Sequence, residues 1–186
     1  MRIIHLKPLK LAALGALLLS TLAPPAMAQE ANPPPAVTTQ TSDALPDRKA
    51  EMSEAFGQDT LENGKFLWKD GVTEVDRLAI SLTEQLIYAY DDERLVAVST
   101  VSTGRPGYET RPGSFRILAK NRTYFSRKYD NAPMPFMQLI TTYGVALHAG
   151  NLPGYPASHG CVRLPTDFAA KLFEVTSIGT PVVVSK

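Results

Sequence analysis

Reactive side chains are scarce in this chain of 186 residues, which has one cysteine and three histidines. A single cysteine excludes an internal disulfide framework. Lysine and arginine total 19 against 18 aspartates and glutamates, and without a basic surplus nucleic acid is excluded as a partner. Twelve glycines and fifteen prolines are too few for a fibrous repeat, and no period of 20 to 50 residues recurs. The longest largely apolar stretch, Leu11 to Leu22, falls short of the roughly 20 residues that a bilayer span needs, so no stable membrane span is expected. What remains is 44% apolar and 20% charged, the balance of a globular domain.

The first 28 residues read as an export signal. Arg2, Lys7 and Lys10 form a basic start, Leu11 to Leu22 the apolar region, and Ala26-Met27-Ala28 a small-x-small cleavage pattern. Cleavage leaves 16 basic and 18 acidic side chains, and it leaves His148 and His159 as the histidines of the exported protein. Residues 29–64 read as a tether and pre-domain segment. Up to about Ala50 the tether is rich in Pro, Ala and Thr, a composition that buries too little apolar surface to offset chain entropy. A short helix is expected around Met52 and Phe56, and Phe66-Leu67-Trp68 as an apolar tab on the domain edge.

The main folded domain is expected over 65–186, with its core from residue 74. Short β-rich runs occupy Arg77 to Ser81, Gln85 to Tyr90 and Arg94 to Ser102. The last is apolar on both parities, as in a central strand covered on both faces. Thr103 to Gly113, with three glycines and two prolines, is a loop. Phe115 to Ala119, Gly144 to Leu147 and Pro181 to Ser185 complete the strands. Arg122, Tyr124, Phe125, Arg127, Lys128 and Tyr129 read as a solvated loop over the site, and Thr166 as the N-cap of a helix whose Phe168, Leu172 and Val175 share a face. The fold class is mostly β with one or two short helices.

Both remaining histidines and the only cysteine fall within fourteen positions, 148–161. An exported, unpaired thiol is either buried in the core or has a task, and these neighbours point to a task. A thiol attacks carbonyls as its thiolate, and a nearby imidazole takes the proton. His148 is favoured as base because its distance along the chain leaves the approach angle free; His159 is then an orienting or structural neighbour. On an extended backbone His159 and Cys161 would share a face. Gly160 lets the backbone approach a substrate carbonyl, and the Cys161 amide is a candidate donor to a developing oxyanion. Arg163 is a candidate carboxylate partner. Tyr143 either adds a hydroxyl to the oxyanion region or is a strand-edge tyrosine.

Ser158-His159-Gly160-Cys161-Val162-Arg163 with an upstream histidine resembles the signature of bacterial L,D-transpeptidases, the YkuD-type catalytic domain. Weaker matches are Leu95 to Gly104 running into Thr110-x-x-Gly113-x-Phe115, then Met134-Pro135-Phe136 and Gly179-Thr180-Pro181-Val182. The resemblance implies a sandwich or barrel-like fold, Cys161 as nucleophile and His148 as general base. It implies that the Ala149 carbonyl orients the imidazole, and that Ser158, His159, Gly160 and Arg163 support the thiol. The implied reaction is cofactor-free and periplasmic. Cys161 is acylated by the third residue of a peptidoglycan tetrapeptide stem with release of D-alanine, and an amine then takes the acyl group. A second stem as acceptor gives a 3–3 cross-link, a lysine of an envelope protein gives anchoring, and water gives a carboxypeptidase. Two departures stand out: Thr110-Arg111-Pro112-Gly113 has its proline one position late, and only nine residues separate His148 from Ser158.

Rival readings fit less well. His148, His159 and Cys161 are potential zinc ligands, but His-x-Cys is not a usual structural-zinc spacing. Papain-like peptidases place cysteine before histidine. Sortases share the His, Cys, Arg order but not the Ser-His-Gly-Cys context. An amidase acting on the same stems is a further alternative. A wall-binding module without catalysis has no use for an unpaired cysteine flanked by these histidines.

Overall fold

The computed structural model describes residues 47–186. The expected leader, and the tether as far as residue 46, lie outside the described residues. Helix α1 (Arg48–Phe56) starts where Asp47 accepts from the amides of Lys49 and Ala50, and it ends on Gly57 in the left-handed region. The helix therefore begins inside the stretch read as tether, because the Asp47 cap lies just upstream of the one buried apolar position, Met52. None of the helices among the described residues is long and apolar enough to cross a membrane.

Among the described residues ten strands form two sheets. The first has the order β1-β4-β3-β2-β10-β5, from β1 (Phe66–Trp68), β2 (Arg77–Ser81), β3 (Leu86–Asp91), β4 (Arg94–Thr100), β5 (Gly113–Arg116) and β10 (Pro181–Ser185). The meander β2-β3-β4 is antiparallel, and β10 runs parallel to β2. Both faces of the central strands β2, β3 and β4 are covered. Leu78, Ile80, Ile87 and Ala89 enter the central core, while the opposite parity, Ala79, Leu86, Tyr88 and Tyr90, packs with Met52 of α1. Tyr90 donates a 2.7 Å hydrogen bond to Glu51, fastening the helix down.

The second sheet has the order β6-β7-β8-β9, from β6 (Ala119–Phe125), β7 (Pro133–Leu139), β8 (Ala146–Ala149) and β9 (Val162–Leu164). β6 occupies a stretch read from sequence as a loop: Arg122, Tyr124 and Phe125 belong to it, while Arg127, Lys128 and Tyr129 lie in the turn to β7, a strand not expected from the sequence. Polar residues on β6 and two prolines on β7 hide the period-2 signal. Phe136 adopts φ 55°, and the Arg122–Phe136 pair is missing from an otherwise regular register.

Helix α2 (Thr166–Val175) packs Phe168, Ala169 and Leu172 into the core, with Phe66 and Trp68 of β1 against the Phe168 ring at 5.6 and 5.7 Å. Pro165, not Thr166, holds the cap position. Its extended backbone (ψ 140°) leaves Thr166 as the first helical residue, and no side chain caps this end. Lys120 of β6 donates to the carbonyls of Phe173 and Thr176 at the other end, a cation placed where the helix dipole favours it.

Candidate active site

β8 and β9 run side by side in parallel, and their alternation sorts core from cleft. Leu147 and Ala149 turn into the core, as do Val162 and Leu164. His148 takes the opposite face and is paired with Arg163 in the register. Cys161, one residue before β9, has the parity of Arg163, and all three line an open cleft of about 940 Å³. His148 lies within β8, not beyond a strand ending at Leu147, because Gly144 (φ 99°) and the turn closed by its amide on Thr141 occupy the preceding positions.

The His148 ring is buried, with Nδ1 2.8 Å from the Ala149 carbonyl oxygen. A carbonyl only accepts, so Nδ1 carries the proton and Nε2 keeps its lone pair. Burial lowers the His148 pKa below the usual imidazole value; the Ala149 carbonyl pulls it back up, and the Arg163 guanidinium lowers it further. The ring is therefore neutral near pH 7.

Cys161 is half-buried and is the free cysteine among the described residues. It packs on Met134, Met137 and Ala146, and its thiol faces the Gly144 carbonyl at 3.7 Å. Burial raises the thiol pKa, while the Ala146 amide and Arg163 act to lower it. No hydrogen bond joins Sγ to the imidazole among the described residues. Thiol and imidazole are thus both neutral at rest, not a preformed ion pair.

The turn ahead of Cys161 is tied from within. Ser158 Oγ accepts from the Gly160 amide at 3.0 Å and donates to the Cys161 carbonyl at 2.5 Å. Gly160 adopts φ 109°, open to glycine and costly for other residues. That bend, rather than an extended backbone, sends His159 away from the thiol. Its ring stacks on Tyr129 at 4.5 Å and meets Tyr108 edge-on at 4.8 Å. Partial burial there, then Arg105, Arg163 and Lys128, lower its pKa. Consequently His148, His159 and Cys161 do not converge as metal ligands, and no group of three such side chains gathers among the described residues.

Arg163 lays its aliphatic stem against Gly150, where a Cβ would come within 3.1 Å of it, and forms no salt bridge among the described residues. Tyr143 sits in the β7–β8 turn at the cleft mouth, 64% exposed, rather than on a strand edge.

Two contributors escape a reading by sequence. Thr110, buried, accepts from the Gly104 amide at 2.9 Å and donates to the Gly160 carbonyl at 3.0 Å. Its signal was its place at the head of the altered Thr-x-x-Gly turn. Asn63 donates from Nδ2 to the Leu152 carbonyl at 2.7 Å, bracing the loop between His148 and Ser158. Nothing local announces a contact made across 89 positions.

A mostly β domain with its only cysteine in a cleft that a buried imidazole also lines defines a class of candidate acyl-transfer enzymes. The family model of the L,D-transpeptidase catalytic domain (YkuD) matches residues 75–184, a span that includes both residues. The chain belongs to this family. Solved structures agree in fold. An L,D-transpeptidase from Stackebrandtia nassauensis is 28% identical with a TM-score of 0.57, covering 69% of this chain and 62% of that one. One from Xylanimonas cellulosilytica is 25% identical, TM-score 0.55, covering 61% of each. One from Mycobacterium tuberculosis is 24% identical, TM-score 0.56, covering 59% of this chain and 57% of the other. The matches thus span about three fifths of those structures. No curated protein matches the sequence.

Proposed function

We propose that the protein is a cysteine-dependent peptidoglycan L,D-transpeptidase of the periplasm. The observation that supports this best is the pairing of Cys161 in the cleft with a neutral imidazole whose Nδ1 is held by Ala149, leaving Nε2 free on the same sheet face. As the thiol approaches the third-residue carbonyl of a tetrapeptide stem, His148 Nε2 takes its proton. The sulfur–carbon bond forms, and the carbonyl oxygen becomes an oxyanion. The Gly160 amide is committed to Ser158, so the Cys161 amide is the donor left to receive that oxyanion.

Collapse of the intermediate breaks the amide carbon–nitrogen bond. The His148 imidazolium returns the proton to the leaving amine, and D-alanine departs from a thioester. An acceptor amine then attacks the thioester, gives its proton to His148 and releases the thiol. A third-residue side chain of a second stem yields a 3–3 cross-link; an envelope-protein lysine yields anchoring. Arg163, without an ion-pair partner among the described residues, offers a bidentate contact to a stem carboxylate, and Tyr143 flanks the entrance. No cofactor is needed for any step.

Intact-mass measurement tests the reading. Wild-type protein incubated with a tetrapeptide stem should gain the mass of the peptide less D-alanine, and Cys161→Ala should gain none while keeping its fold. Turnover retained in the Cys161→Ala protein would overturn the assignment. Mass spectrometry of wall fragments then distinguishes the acceptors, since each leaves a different covalent product.

A further inference from the structure

We propose that Thr110 is a positioning residue that aims the Cys161 amide into the cleft, an inference that rests on the acyl-transfer reading above. Three consecutive peptide planes surround the nucleophile, and two are set by Ser158. Its hydroxyl takes the Gly160 amide on one side and the Cys161 carbonyl on the other. The plane between them, joining Gly160 to Cys161, is left to Thr110. The Thr110 hydroxyl donates its single hydrogen to the Gly160 carbonyl and accepts from the Gly104 amide, so both ends of the contact have a fixed direction.

The peptides of the described chain are trans, with carbonyl and amide pointing opposite ways across each plane. A Gly160 carbonyl drawn back onto buried Thr110 therefore sends the Cys161 amide away from Thr110. That amide makes no backbone or side-chain hydrogen bond among the described residues, and Cys161 lines the cleft. An unpaired amide beside the attacking sulfur is the geometry that oxyanion stabilisation needs.

Thr110 is itself held by close packing. The chain from Arg105 to Thr110 folds back over Gly104 so tightly that a Cβ there would lie 2.0 Å from the Tyr108 carbonyl oxygen and 2.7 Å from the Thr110 nitrogen. The Arg105 amide bonds the Ser158 carbonyl at 3.1 Å, joining the same loop to the other anchor. The late proline of Thr110-Arg111-Pro112-Gly113 leaves this arrangement intact, because the working group is the hydroxyl at its head.

The test separates aiming from thiol chemistry. Thr110→Val keeps the shape and removes the hydroxyl; Thr110→Ala removes it and leaves room for water should the valine protein fail to fold. Acylation by a tetrapeptide stem builds an oxyanion, whereas alkylation by iodoacetamide displaces halide at a saturated carbon and builds none. Either variant should acylate about 10- to 100-fold more slowly, as for a weakened oxyanion donor, while alkylation stays within about twofold. Thr110→Ser, which keeps the hydroxyl, should retain at least about half of the wild-type acylation rate. Unchanged acylation in a folded variant lacking the hydroxyl overturns the proposal, as does an equal fall in both reactions. A wild-type protein that alkylates but never acylates sinks the transpeptidase reading first and this inference with it.

Discussion

In the first sheet, β2, β3 and β4 are apolar on both faces, with one parity facing α1 and the other the central core. In the second, β8 and β9 are apolar on one face only, and the other bears His148, Arg163 and the approach to Cys161. The second sheet also keeps exposed polar positions along β6. A surface that must hold an imidazole, a guanidinium and a thiol next to water cannot be closed by a packed layer. Its rigidity comes instead from the neighbouring frame and from hydrogen bonds made by Ser158, Thr110 and Ala149. If frame and cleft are separable in this way, stability and acylation should respond to different substitutions.

His148→Ala gives the largest effect expected on the cleft side. Losing the proposed general base should slow acylation about 10²- to 10⁴-fold with little change in melting temperature. A greater loss in His159→Ala would reverse the assignment, since the His159 ring is held by Tyr108 and Tyr129 rather than beside the thiol. The pH profile adds a second reading. A His148 pKa lowered by burial keeps the base available as pH falls, so the acid limb of the stopped-flow acylation rate should lie below about 6.5, the usual histidine value. Arg163→Gln removes a nearby positive charge and should move that limb upward. An acid limb above the usual value in the wild type would contradict a buried, neutral ring.

Phe168→Ala tests the other side of the comparison. The ring is fully buried on α2 against Phe66 and Trp68, so truncation should cost about 3 to 5 kcal/mol of unfolding free energy. Denaturant titration measures that loss. Acylation per folded molecule should stay within about threefold, because the ring touches the frame and not the cleft. A large fall in acylation by molecules that remain folded would mean that the two layers are not separable.

How much of this was legible in the sequence follows the same division. The first sheet announces itself through Leu95 to Val101 and its neighbours, since covered strands must be apolar on both parities. Cys161 and His148 stood out by rarity and proximity. β6 and β7 did not, because Lys120, Asn121 and Arg122 resemble loop residues while Pro133 and Pro135 argue against a strand. Their pairing is set by tertiary partners, with β7 held between β6 and β8. The bend at Gly160, which parts His159 from the thiol, depends on its amide donating to Ser158 and its carbonyl accepting from Thr110, bonds that no local pattern specifies. The helix start at Pro165 was misplaced by one residue because threonine is a good cap by type, yet the extended proline before it already fills the role.

The smallest expected effect lies where frame meets cleft. Asn63 sits on a turn fixed to the end of β4, where the Gly64 amide donates to Thr100 Oγ1 at 3.0 Å. From there it reaches the Leu152 carbonyl, the single hydrogen bond that holds residues 151–154 to another part of the described chain. Its side chain also lies against Gly154, whose φ of 92° keeps the loop close. The contact is exposed, so Asn63→Ala should cost about 1 kcal/mol or less. Amide exchange in the loop should quicken about fivefold, as that energy implies, and acylation should weaken about two- to fivefold, chiefly in KM. Faster exchange without a kinetic change would show that the cleft tolerates a loose loop. A kinetic loss without faster exchange would place the influence of Asn63 elsewhere than in the brace. The short nine-residue connection makes the first outcome hard to reconcile with the geometry, because both ends of the loop sit on groups that shape the site: His148 at the start and Ser158, through its hydroxyl, at the finish.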